Sequence, residues 1–277
     1  MMTLAEYKRF FEENGYVVAQ QLFTPEEVAF YREHYMRLRE QGSYPGDLVA
    51  DTRLSKDPLK RYPRMIQMHN WDEASLRWLL DERISRILTG LFGREPLAVQ
   101  TMLYFKPPRA RGQALHQDNF YLKAQPGTCM AAWLALDDCD EANGCMQVVP
   151  GSHRWPILCI QKADTKQSFT DVTVPIPAGQ EIRPILMSAG DVMFFHGALV
   201  HGSQPNTTKD RFRRALIGHY IEGRCEKYNG QALRMDGTPL KMEPSGGLGH
   251  CGEWVEIDGT PVIEVTGRQP VGAPASE

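Results

Sequence analysis

The feature that most constrains the fold is the stretch from Pro96 to about residue 221. Six β-type runs follow one another there, "LAVQTMLYFK", "QALHQDNFYL", "MAAWLALDD", "GCMQVVPGS", "EIRPILMSAGDVMFFH" and "RFRRALIGHYI", separated by turn residues with nothing helical between them. A parallel sheet needs long crossovers, usually helices, between its strands. Their absence excludes a doubly wound α/β fold and leaves a sandwich or barrel, with a jelly roll as the natural closure.

The N-terminal third reads differently. Leu4, Tyr7, Phe10 and Phe11 stand at helical spacing before Gly15, and "YVVAQQLF" reads as a short strand. Thr24-Pro25-Glu26-Glu27 is a capping box with proline at the first helical position, and it predicts a helix to about Glu40. Residues 41–64, rich in Gly, Pro, Asp and Arg, read as a long, partly ordered loop. Two helices are expected over 73–80 and 82–91, the second stopped by Gly93. The Gly- and Pro-rich stretch after 221 reads as irregular covering with one hairpin at "EWVEIDGTPVIEV". The expectation is one domain, 1–277: a helical layer (1–95), a jelly-roll core (96–221) and a C-terminal covering (222–277).

The 277 residues carry a net charge of -3, which offers no electrostatic attraction to nucleic acid or to an anionic membrane surface. Apolar runs fall far short of the roughly 20 residues that span a bilayer. The opening "MMTLAEYKRFFEENG" is charged, with no apolar core before a cleavage site. Six cysteines at irregular spacings, without a CxxC pair, read as free thiols in a reducing cytoplasm. The expected partner is a small molecule.

Chemistry enters at "LHQD". Side chains two apart on a strand share a face, so His116 and Asp118 project together and Gln117 projects oppositely or along the rim. A metal site needs a third ligand, and "GDVMFFHGALVHGSQPN" supplies His196 and His201. Two histidines and one carboxylate on one face of a metal form the facial triad of non-haem Fe(II) oxygenases. Such a site leaves room for a bidentate co-substrate and O2. In "RFRRALIGHY", Arg213 shares a face with Ala215 and Ile217, which points it into the barrel. A buried arginine needs an anion, and its planar fork suits a carboxylate such as that of 2-oxoglutarate.

Residues 99–220 resemble the phytanoyl-CoA hydroxylase (PhyH) family of Fe(II)/2-oxoglutarate oxygenases. The segments carrying this are "TMLYFKPP", "LHQD", "AAWLALDD", "NGCMQVVPGSHR", "GDVMFFHGALVHGSQPN" and "FRRAL", and "FFEENGYVVAQQLFTPEEV" is similar to the family's opening. The resemblance implies a double-stranded β-helix of cupin type, with His116, Asp118 and His201 as iron ligands and Arg213 as the 2-oxoglutarate anchor. It also implies that Gln117, Met102 and Trp133 line the co-substrate pocket and that the segment of Gln67 and His69 approaches it. The implied reaction is hydroxylation, or a related oxidation, with release of succinate and CO2. Halogenating relatives carry a small residue where this chain has Asp118. The turn before the arginines is one residue longer than in the mammalian enzyme, so Arg211 and Arg214 compete with Arg213 for the anchor. The chain after Cys225 does not follow the pattern, which leaves an acyl-CoA substrate open.

Other polar groups have plainer readings. His196 closes an apolar run and is expected to hydrogen-bond a neighbouring strand, His153 to be structural, and His219 to be a satisfied core group. "DDCDEANG" reads as a solvated turn, since the ligand positions of a calcium loop are not met. The basic residues of 53–64 either bind an anionic head group or form a solvated loop. Two rival functions use the same ligands: a zinc hydrolase or lyase, which would not need a dicarboxylate anchor, and a non-catalytic cupin-like binding protein.

Overall fold

Alternation with a period of two decides how the β-rich part folds. Residues 2–42, 44–45, 54–247 and 249–268 are described in the computed structural model. Helix α1 (Leu4–Asn14) begins at a Thr3–Glu6 capping box and ends at Gly15, and it leads into β1 (Tyr16–Ala19). The Thr24–Glu27 capping box opens α2 (Pro25–Glu40). A short α3 (Pro58–Arg61) and β2 (Met65–Ile66) follow. Asp72 and Asp81 then cap α4 (Glu73–Leu79) and α5 (Glu82–Phe92). Of the loop expected over 41–64, residues 43 and 46–53 lie outside the described residues.

The remaining strands are β3 (Leu97–Tyr104), β4 (Gln113–His116), β5 (Cys129–Ala135), β6 (Met146–Val148), β7 (Gln161–Lys162), β8 (Val172–Thr173), β9 (Arg183–Ile185), β10 (Val192–His196), β11 (His201–Ser203), β12 (Ala215–Ile221), β13 (Gln231–Leu233), β14 (Pro239–Lys241), β15 (His250–Ile257) and β16 (Thr260–Arg268). A four-residue helix, α6 (Asn119–Leu122), follows β4. The large sheet runs β1-β10-β5-β12-β3-β13-β14, with β2 paired to β3, and the smaller one runs β4-β11-β6-β9.

On β5, Ala132 and Leu134 face outward with Phe194 and Leu216, against Trp78, Leu79, Ile84 and Leu88 of the helical layer. Ala131, Trp133 and Ala135 face inward with Met193 and Phe195, against Met146, Val148 and Ile185 of the smaller sheet. Burial on both faces explains why β5 is a continuous apolar run. Truncating a fully buried ring such as Phe194 costs about 3–5 kcal/mol. A bulge in the pairing with β3 falls opposite His219 and Tyr220 and places the extra residue, Val99, on β3. Alternation along β12 is unbroken: Tyr220 faces outward and donates to the Leu79 carbonyl at 2.8 Å, while His219 stays on the inward face.

Two expectations need correction. The C-terminal stretch is more ordered than an irregular covering: β13 and β14 extend the large sheet, and the expected hairpin occupies 250–268. The six thiols are not all free. Cys159 and Cys251 form a disulfide across 92 residues of sequence, while Cys129, Cys139, Cys145 and Cys225 are free and buried. Packing of the hairpin against the 157–159 segment brings the two together through paired backbone bonds (Cys159 N–H to Gly252 O and Gly252 N–H to Ile157 O), which irregular cysteine spacing does not announce. No helix among the described residues is long and apolar enough to cross a membrane.

Candidate active site

His116 ends β4 and His201 begins β11, and the two are direct partners in the antiparallel pair. Their side chains therefore emerge side by side. Gly202 is needed here because a Cβ would sit 2.7 Å from the Gln113 carbonyl. Each imidazole is fixed the same way: His116 Nδ1 donates to Ala114 O at 2.9 Å, and His201 Nδ1 to Leu199 O at 3.0 Å. Both Nε2 atoms are thereby left as acceptors: that of His201 faces the metal position, and that of His116 accepts from the Gln113 amide at 3.1 Å, a bond that a metal would displace.

Asp118 reaches the same point by a route different from the one expected. The strand stops at His116, and Asp118 is helical (φ -61°, ψ -35°), leading into α6. That turn brings Oδ1 to 3.4 Å from His116 Nε2 and 3.6 Å from His201 Nε2. The candidate ligand atoms of His116, Asp118 and His201 all lie within 4.8 Å of one another.

The electrostatics suit a divalent cation. Burial raises the Asp118 carboxyl, but the fields and hydrogen bonds of His201, His116 and His219 outweigh it and hold the group well below its ordinary range. Burial, reinforced by His116, brings His201 down to about 4, so it is neutral at neutral pH. A buried carboxylate between two imidazole nitrogens is a ready ligand set.

His219, expected to be a core group, touches the site: its Nε2 lies 3.2 Å from Asp118 Oδ2, which leaves Oδ1 to the metal side. Its Nδ1 is buried without a partner. The alternation that put Arg213, Ala215 and Ile217 on one face extends to position 219 and could have found it. His196 stands apart, its Nδ1 accepting from Ala198 N–H within its own turn rather than bonding a neighbouring strand. His153 and Phe11 pack beside it. His69 is buried against the Thr101 hydroxyl at 3.0 Å.

The three arginines separate cleanly. Arg211 pairs with exposed Asp140 and Arg214 with Asp137, so the acidic turn is their partner. Arg213 is 4% exposed and has no carboxylate partner among the described residues. Its Nε donates to Gly144 O at 3.1 Å, and its guanidinium lies 5.2 Å from the Trp133 ring. Lys106, absent from the sequence reading, shares that carbonyl. Its Nζ donates to Gly144 O (3.0 Å), to Ser203 Oγ (2.8 Å) and to the Gln204 carbonyl. Burial, then the Arg213 charge, pushes this amine well below its ordinary pKa. Arg213, a buried cation with no acid among the described residues, makes an anion receptor with the Lys106 amine beside it. The sequence signal was a lysine directly following the alternating apolar run of β3.

Met102 and Trp133 flank Ile217 on the inward face in cross-strand register. Gln117 is fully engaged: its amide donates to Ala198 O (2.8 Å) and Pro156 O (3.1 Å) and accepts from Leu158 N–H (2.8 Å). Gln67 takes a left-handed backbone (φ 60°), and its Oε1 is buried without a partner.

Two histidines and a carboxylate converging at the mouth of a jelly roll are the donor set of a non-haem Fe(II) oxygenase, and the unpaired Arg213 answers to the acid co-substrate of one branch. The protein is an Fe(II)/2-oxoglutarate-dependent dioxygenase. The family model "Phytanoyl-CoA dioxygenase (PhyH)" matches residues 11–215, and the chain belongs to that family. It is 30% identical over 235 residues to the peroxisomal phytanoyl-CoA dioxygenase of Mus musculus, covering 80% of this chain and 69% of that one. It is 27% identical over 270 residues to phytanoyl-CoA dioxygenase 1 of Oryza sativa subsp. japonica, covering 85% and 96%. Among solved structures, EvdO2 from Micromonospora carbonacea complexed with 2-oxoglutarate aligns with a TM-score of 0.63 at 22% identity over 78% of this chain and 90% of that one. The epimerase SnoN, in complex with Fe3+, alpha ketoglutarate and nogalamycin RO, aligns at 0.61 and 21% identity over 98% and 96%. These share the double-stranded β-helix.

Proposed function

We propose that the protein hydroxylates an unactivated carbon of a small organic substrate, converting 2-oxoglutarate to succinate and CO2. The observation that carries this is Asp118 Oδ1 set between the two Nε2 atoms, with the arginine Arg213 buried and free of any acid among the described residues. Fe(II) with chelated 2-oxoglutarate supplies the oxygen activation.

The chain's own groups bind and orient. His116, Asp118 and His201 hold the metal, and His219 keeps Asp118 Oδ2 turned away from it. Arg213, whose guanidinium lies against the Trp133 ring, would hold the distal carboxylate of 2-oxoglutarate. Lys106 donates to Ser203 Oγ, which leaves the hydroxyl proton free to point at the same carboxylate. Met102 and Trp133 form the apolar wall that excludes water, and Gln67 offers its unpartnered Oε1. Gln117 serves the pocket by locking the 156–158 and 198 backbone beside the ligand pair.

Succinate formation, screened over organic acids, amino acids and acyl-CoAs under labelled oxygen, tests this. One labelled oxygen in the oxidised substrate, beside the one that enters succinate, supports hydroxylation. Labelled succinate formed while the organic substrate gains no oxygen contradicts it.

A further inference from the structure

Four side chains from four separate elements converge beside His116; three stand apart from the metal and co-substrate groups, and Tyr104 borders them, since it also acts on Arg213. Tyr121, on α6, has its ring 6.2 Å from the His116 ring. Tyr104 ends β3, and its ring lies 6.1 Å from that of Phe169. Phe169 comes from the 163–174 segment, which runs along the β4 edge through bonds such as Phe169 N–H to Gly112 O and Val174 N–H to Leu115 O. The guanidinium of Arg64 lies 5.9 Å over the Phe169 ring. The cluster closes on itself, because Tyr104 and Arg64 both act electrostatically on the Tyr121 hydroxyl.

All four are half-buried, so each keeps part of its surface open to a ligand. Neither phenol hydroxyl hydrogen-bonds another described residue, and Arg64 has no acidic partner among them. Two acids act on the Tyr121 hydroxyl: Asp118 is committed to its imidazoles, and Asp171 is exposed and screened by water. A flat apolar wall, two free phenol donors and one free planar cation suit an amphiphilic organic acid.

We propose that the substrate is a small organic acid with a ring-containing apolar body. Its carboxylate meets Arg64, and its body lies against Tyr104, Tyr121 and Phe169 beside His116. This rests on His116, Asp118 and His201 being the reacting centre. One arginine matches one carboxylate, rather than the several phosphate groups of a CoA thioester.

The test is anaerobic calorimetry on protein loaded with Fe(II) and 2-oxoglutarate. The probes are hydrocinnamate and cyclohexanecarboxylate, their methyl esters, and hydrocinnamoyl-CoA. The free acids should bind about tenfold more tightly than the esters, and Arg64→Gln should abolish that difference while leaving ester affinity unchanged. Equal binding of acid and ester, tighter binding of the thioester, a preference that survives Arg64→Gln, or no acid binding at millimolar concentration would each overturn the proposal. The visible spectrum of chelated 2-oxoglutarate is recorded in the same sample. If that band is present and the acids fail, only the substrate class falls. If the band is absent, the oxygenase reading falls and takes this one with it.

Discussion

His116 and His201 are direct cross-strand partners in the β4–β11 pair, with ring centroids 4.2 Å apart. The pairing makes the metal site a property of strand register. His201→Ala should therefore leave protein without iron after desalting, as His116→Ala and Asp118→Ala should. His196→Ala should keep stoichiometric iron and lose about 1 kcal/mol of stability with its turn hydrogen bond. Iron analysis of the four variants checks this, and retention by His201→Ala with loss in His196→Ala would reverse the assignment.

His219 holds the carboxylate oxygen that the metal does not need. His219→Ala should fold and still bind iron, with affinity lowered about 10- to 100-fold. A competition titration against a chelator measures this, and unchanged affinity would make His219 a bystander.

Two histidines away from the metal make the fold acid-sensitive. Burial brings His69 to about 4, and burial with the nearby His153 charge does the same for His196, against an ordinary value of 6.5. Between these values the unfolded chain binds protons that the native state refuses. Stability is therefore full above pH 6.5 and falls as pH drops toward 4. The loss from pH 7 to 5 should be roughly 3 kcal/mol for the pair. Urea titrations at the two pH values, repeated with His69→Asn, read the slope; an unaltered slope in the variant removes His69 from the account.

The Cys159–Cys251 bond anchors the C-terminal hairpin to the loop whose Leu158 N–H is held by Gln117. Cys251→Ser should cost about 2–4 kcal/mol of unfolding free energy. It should also make the 250–268 amides exchange faster than those of β5. Hydrogen exchange followed by mass spectrometry checks both regions.

Much of this molecule was readable before its structure. Local rules decide the capped helices, because Thr24 and Glu27 carry their signal within four residues. Period-two alternation gave Arg213 its inward face, while Met102 and Trp133 were placed at the pocket by the family resemblance. What escaped depends on distant partners. Nothing local marks Lys106 as buried against Gly144 and Ser203, or Cys159 as 4.9 Å (Cα–Cα) from Cys251. The His116–Asp118 proximity was expected for a strand reason and arises from a turn, since β4 ends one residue before Gln117. Arg211 and Arg214 could be set apart from Arg213 only once Asp140 and Asp137 were seen to hold them.

The most direct measurement is anaerobic titration of 2-oxoglutarate into Fe(II)-loaded protein, followed by heat and by the visible absorption of the chelated keto acid. The wild type should bind one equivalent with the band developing in step. Arg213→Ala should keep its iron and lose about a hundredfold or more in 2-oxoglutarate affinity, the cost of removing one side of a buried ion pair being roughly 3–5 kcal/mol. Arg211→Ala, whose pair with Asp140 is exposed, and Arg214→Ala should bind 2-oxoglutarate as the wild type does. No heat and no band in the wild type, or a larger loss in either of those two variants than in Arg213→Ala, would contradict the account.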